Sequence, residues 1–187
     1  MNREQRLAAL NAELAKRILT LDGSMGAYLQ GFGLTSEDFH GERFAAHATP
    51  LKGDSDVLTL TRPDVIAKVH EAYLDAGVDI VSTNTFTATP ISQGEYGLDA
   101  FAREMNVSAA ALARAACDRA EQADGRPRAV AGSVGPTTKL LSMSPDVGDP
   151  ALEGNDRNAD RRLGQTEASP GLRRRSGRRP HPRLGCR

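Results

Sequence analysis

An α/β protein built on a parallel sheet or barrel is the fold class that the sequence predicts, on three observations. Helical periods alternate with short β-branched runs along residues 18–137, the helices stop at Gly77 and Gly125, and each strand candidate ends in a Gly- or Asn-rich cluster. Helix, glycine, strand is the rhythm of βα units, which carry their functional loops at the strand C-termini. Three such units are legible in the 187 residues. A closed eightfold barrel of typically ~250 residues would therefore be present here only as its first three βα units.

The elements follow in order. Leu7, Leu10 and Leu14 at i, i+3, i+7 predict an amphipathic helix with one buried stripe. Ile18 to Leu21 reads as a first strand, stopped by Asp22-Gly23-Ser24-Met25-Gly26. Residues 28–60 hold Gly31, Gly33, Gly41, Pro50 and Gly53, which break any period and predict a long, mostly irregular excursion of the kind that is uncommon unless functional. Arg62-Pro63-Asp64 starts a helix, because proline suits the first turn and an acid suits the positive helix end; Ile66, Val69 and Tyr73 mark its buried face and Gly77 its stop. Val78 to Thr83 is the second strand, ending in Asn84-Thr85-Phe86-Thr87. Leu98 to Ala123 is helical again, with Asn106 expected to cap a second piece. After the Gly125-Arg126-Pro127 break, Ala129 to Ser133 is the third strand, closing in Val134-Gly135-Pro136-Thr137.

The formal charge of zero conceals two unlike segments. Residues 1–150 carry 14 basic and 20 acidic side chains, whereas residues 151–187 carry 10 arginines and 4 acids. From Ala151 onward there is no Val, Ile, Met, Phe, Tyr or Trp, so the second segment lacks the apolar surface to offset its ordering entropy and is expected to be a disordered basic tail. Cys117 and Cys186 are too few for a disulfide framework and suit a reducing, cytoplasmic compartment; no apolar run of membrane-spanning length and no signal peptide are seen.

The strand-end clusters carry a family resemblance. Asp22-Gly23-Ser24-Met25-Gly26, Leu60-Thr61-Arg62-Pro63-Asp64-Val65-Ile66, Thr83-Asn84-Thr85-Phe86-Thr87 and Gly132-Ser133-Val134-Gly135-Pro136-Thr137 resemble, in order and spacing, the opening of homocysteine S-methyltransferase domains. Ile91-Ser92-Gln93, Tyr96-Gly97 and Ser144-Pro145-Asp146-Val147 are most similar to the amino-terminal domain of cobalamin-dependent methionine synthase. The resemblance runs from about Arg17 to Pro150 and stops where the composition changes. It implies a TIM barrel that binds zinc and homocysteine and transfers a methyl group from methylcobalamin to the zinc-bound thiolate. Zinc serves that chemistry because a thiol of pKa ~8.5 is mostly protonated at pH 7 until a metal deprotonates it. A related donor, S-methylmethionine or betaine, is the alternative within the class.

Read through that resemblance, Asp22 pairs with the substrate's ammonium, while backbone N–H groups at Gly23 and Ser24 approach its carboxylate because glycine leaves room. The competing reading is an ordinary Asp-Gly turn. Asn84 is a further substrate contact, set against a routine strand-terminating Asn. Gly132, Gly135 and Pro136 are expected to shape their loop rather than touch substrate. The sequence departs from the family at Ser82-Thr83, where relatives often carry an acid before the Asn-Thr-Phe cluster, and at Ser24 and Ala27, where Ala and Thr are usual. The family's zinc ligands, three cysteines from later strand ends, fall beyond the resemblance; Cys117 sits in an Ala-rich helix, and His40, His47, His70 and His181 have no ligand spacing. No catalytic or metal residue is therefore assigned, and neither zinc nor methylcobalamin is expected to be fully bound by this chain. The downstream barrel half and the cobalamin and folate modules are the implied partners.

The domain reading is thus 1–150, a partial homocysteine-binding barrel, and 151–187, the tail. A changed reading frame near Pro150 accounts for an Arg-, Gly- and Pro-rich segment that follows the last lysine, Lys139. The rival account is a non-enzymatic fragment whose Arg173-Arg174-Arg175 cluster binds nucleic acid, for which the tail lacks the aromatic residues that stack on bases.

Overall fold

A computed structural model describes residues 2–137. The tail 151–187 and the Ser144–Val147 motif lie outside the described residues.

Helix α1 (Arg3–Leu14) opens with a capping box in which Asn2 Oδ1 accepts from the Gln5 N–H and Gln5 Oε1 from the Asn2 N–H, each at 2.9 Å. The expected leucine stripe is not buried as a stripe. Leu10 is 6% exposed but Leu7 and Leu14 are 50% and 59% exposed. Charge docks this helix instead: the Arg6 guanidinium reaches Asp118 at 2.7 Å and Glu121 at 3.3 Å on α7 (Ala102–Asp124).

The first strand is shorter than the apolar run predicts. Only Leu21 pairs with a neighbour, in parallel with Ile80, while Ile18 is 85% exposed. A competing acceptor explains this: the Thr20 N–H donates to the Asp79 carboxylate at 2.9 Å, and Arg17 turns to the same carboxylate at 2.6 and 2.9 Å. The chain is held to the sheet by the Asp22 N–H on the Ile80 carbonyl and by the Asp79 and Ile80 N–H groups on the Thr20 carbonyl.

Strands β1 (Ile80–Ser82) and β2 (Ala129–Ala131) run parallel, with Ile80 opposite Ala129, Val81 opposite Val130 and Ser82 opposite Ala131. With the Leu21 bridge, three successive strand segments lie side by side in chain order, the parallel α/β arrangement that the sequence predicts.

The excursion between the first two strands is less irregular than expected. It contains α2 (Met25–Gln30), α3 (Ser36–His40) and α4 (Leu58–Thr61). Short local caps make these turns possible: Ser24 Oγ accepts from the Ala27 N–H at 3.2 Å, and the Asp38 carboxylate takes the Thr35 N–H and hydroxyl. Their apolar residues Leu29, Phe39 and Leu58 enter the main core beside Val65, Ile66 and Val69 of α5 (Pro63–Asp75) and Leu98 and Met105 near the start of α7.

α6 (Pro90–Gln93) and two 3₁₀ turns, Gly94–Tyr96 and Asp99–Phe101, lead into α7, which is one continuous helix. Asn106 is not a cap. Its amide donates to the Ala88 carbonyl at 2.7 Å and to Ala102 at 2.8 Å, tying the strand-end loop to the helix side without interrupting it. The Ala-rich run has a packing role as well as high propensity. Ala109, Ala113 and Ala116 are fully buried, and such small side chains allow α7 to lie close against α5 and β1. Among the described residues no helix is long and apolar enough to cross a membrane.

Candidate functional site

At the C-terminal ends of the three strand segments lies an open cleft of about 460 Å³. Residues 22–26 form one wall, residues 82–87 another, and Gly53, Ser55, Asp56 and Ser133 complete it. All four residues singled out in the sequence, Asp22, Gly23, Ser24 and Asn84, line this one cavity although some sixty positions separate the first from the last.

Each arrives for a local reason. Asp22 ends the first strand segment and accepts the Ser82 N–H at 2.7 Å and the Ser82 hydroxyl at 2.9 Å, so both of its oxygens are held by the end of β1. At Gly23 an added Cβ would meet the Tyr73 hydroxyl at 2.9 Å. Glycine is thus what lets the turn pass over α5. Ser24 spends its hydroxyl on capping α2, and its carbonyl accepts from the Tyr28 N–H at 3.3 Å and from the Tyr73 hydroxyl at 3.4 Å.

Asn84 is buried and donates to the Ser55 carbonyl at 2.7 Å and to Thr59 Oγ1 at 3.3 Å. It fastens the end of β1 to the 53–56 loop. A hydroxyl chain joins the β1 and β2 ends: Thr83 Oγ1 lies 2.6 Å from Thr85 Oγ1, the Thr85 hydroxyl donates to the Ser133 carbonyl, and the Ser133 N–H donates back to Thr83 Oγ1. Gly135 shapes the closing loop, because a Cβ there would stand 2.6 Å from the Phe86 carbonyl oxygen that accepts the Gly135 N–H.

The sequence reading missed Asp56. It is 2% exposed, and its Oδ2 accepts both the N–H and the hydroxyl of Thr87 at 2.6 Å. Burial pushes its carboxyl up to about 6, with the Thr87 hydroxyl opposing the rise and the charge of Asp54 adding to it. Asp54, also buried and raised by burial, receives the Gln93 amide at 3.0 Å. The available signal was the pair of acids two apart in Asp54-Ser55-Asp56, inside an excursion too long to be idle. Beneath Asp22, His70 is fully buried; burial pushes its ring below the ordinary value, with the Asp22 charge opposing, so it is a neutral core residue at pH 7.

Metal chemistry finds no seat in these residues. Among the described residues no group of three His, Cys, Asp or Glu side chains stands together to hold an ion. Cys117 is buried, with its Sγ 3.7 Å from the Ala129 carbonyl and its thiol pushed up to about 11 by burial, the opposite of a thiolate ligand. The described residues do not form a zinc site.

Comparison with known proteins agrees with this architecture. The chain is similar to the solved homocysteine methyltransferase MmuM from Escherichia coli in its oxidized form, with 27% identity and a TM-score of 0.56 over 87% of this chain and 54% of that one. The metallated form of MmuM shares the fold at 24% identity and a TM-score of 0.54, over 86% of this chain and 55% of that one. The chain therefore spans about half the length of these solved relatives. The family profile described as homocysteine S-methyltransferase matches residues 19–161. On that match, and with its motifs gathered at one cleft, the chain belongs to the homocysteine S-methyltransferase family.

Proposed function

We propose that residues 1–150 supply the homocysteine-binding portion of a methionine synthase, the part that holds the acceptor while methylcobalamin donates a methyl group to its sulfur. One observation carries the reading: Asp22, Gly23, Ser24 and Asn84 converge at the strand C-termini, where parallel α/β folds place their ligands. Asp22 supplies negative charge for the amino acid's ammonium. The backbone at Gly23 and Ser24 supports its carboxylate. Asn84 holds the 53–56 loop as the cleft's far side. Zinc, when present in the family's complete site, lowers the proton affinity of the substrate thiol; the described residues contribute binding and orientation only.

A second reading keeps the acceptor and changes the donor to S-methylmethionine or betaine. The likeness to MmuM, described as a homocysteine methyltransferase, supports the acceptor that both readings share.

Equilibrium dialysis of the full chain against radiolabelled L-homocysteine tests the common part. Retention is expected, and Gly23→Val is expected to weaken it roughly tenfold or more, because the new side chain collides with Tyr73 and displaces the turn that forms one cleft wall. Equal retention by the variant would contradict the proposed site. Neither donor is expected to yield methionine with this chain alone, because the described residues contribute binding and orientation only.

A further inference from the structure

Asp22 and Asp56 are the only charged side chains among the described residues that line the cleft, and no lysine, arginine or histidine there balances them. Two carboxylates in a partly desolvated cleft leave an electrostatic demand for a cation. They do not meet it equally. Both oxygens of Asp22 already accept hydrogen bonds from Ser82. On Asp56 the two bonds from Thr87 converge on Oδ2, the Phe86 backbone N–H also bears on the carboxylate, and no charged group among the described residues pairs with it.

We propose that Asp56 is a specificity-determining carboxylate for the substrate's α-ammonium, which it shares with Asp22. The inference rests on the homocysteine reading of the cleft. An ammonium carries three donors, enough to be shared between acids that line one cleft. The ionisable groups that bear on Asp56 are Asp54 from its own loop and Tyr96 from the Gly94–Tyr96 turn, while Asp22 stands in the same cleft. All are acids, so the bound ammonium is the cation that completes the group. A carboxyl that titrates at about 6 in the empty cleft is partly protonated at that pH and gives up its proton when a cation arrives.

Thr87 anchoring alone is the structural alternative for Asp56, and it neither discriminates an ammonium nor releases protons. Calorimetric titration of the full chain with L-homocysteine and with 4-mercaptobutanoate, the same thiol acid without the amino group, separates the two roles. The wild-type chain is expected to bind homocysteine roughly tenfold to a hundredfold more tightly. Asp56→Asn is expected to lose most of that preference while keeping its affinity for 4-mercaptobutanoate.

A second readout needs no variant. In paired buffers of different ionisation enthalpy, wild-type binding of homocysteine is expected to release protons at about pH 6 and almost none at about pH 7.5, with no such release for 4-mercaptobutanoate. A preference that survives Asp56→Asn, or homocysteine binding without proton release at about pH 6, overturns the role of Asp56 alone. Failure of the wild-type chain to bind either thiol overturns the homocysteine reading itself, and this inference with it.

Discussion

Leu58→Ala is expected to destabilise the chain by about 2–5 kcal/mol, a large share of the ~5–15 kcal/mol that holds a typical domain. Leu58 is fully buried at the start of α4, two residues after Asp56, in the cluster that includes Leu51, Val57 and Ile66. Truncation removes its buried methyl groups and leaves a cavity beneath the 53–56 loop. The effect therefore reaches the cleft as well as the core. Urea unfolding followed by circular dichroism measures it, with Val107→Ala on the exposed face of α7 as the comparison, expected to stay within about 0.5 kcal/mol. Similar unfolding midpoints for both variants would contradict the packing described.

Asp79→Asn is the second large effect. The buried Asp79 carboxylate joins three parts of the chain: Arg17 before the first strand segment, the Thr20 N–H within it, and Arg126 after α7 at 3.0 Å. Hydrogen bonds from Arg17 hold its carboxyl well below the usual carboxylate range against the opposing effect of burial, with the Thr20 N–H and Arg126 adding to the depression. A folded-state value below the unfolded one means that this stability is present above the unfolded pKa of ~3.9 and is lost as pH falls toward the folded value. Both arginines are partly exposed, so solvent screening limits the loss on substitution to about 2–4 kcal/mol at pH 7. Melts of both forms between about pH 7 and pH 2 should show the difference shrinking on the acid side. A difference that does not change with pH would mean that the carboxylate's charge is not what binds these segments together.

These residues also show which parts of the architecture were legible. Pro63 and Gly77 bound α5 where their backbone preferences place them, because both act within one helical turn of the chain. The strand ends were legible for the same reason: Asp22-Gly23-Ser24 and Asn84 interrupt apolar runs, and parallel topology then brings such interruptions to one edge. What escaped depends on partners far away in sequence. Leu7 and Leu14 satisfy a helical period, yet Arg6 docks α1 through Asp118 and Glu121, more than a hundred positions on. Asn106 has the chemistry of a cap but finds the Ala88 carbonyl, which no local pattern announces. Asp56 looks like any loop acid until Thr87, from the end of the next strand, closes over it.

Backbone amide shifts of the isotope-labelled full chain, recorded by nuclear magnetic resonance while L-homocysteine is added, test the central claim most directly. The account expects the largest changes at Gly23, Ser24, Asn84 and Asp56, with the distant ion-pair surface around Arg119 and Glu71 unmoved. Shifts that concentrate away from the cleft, or none at saturating ligand, would contradict it.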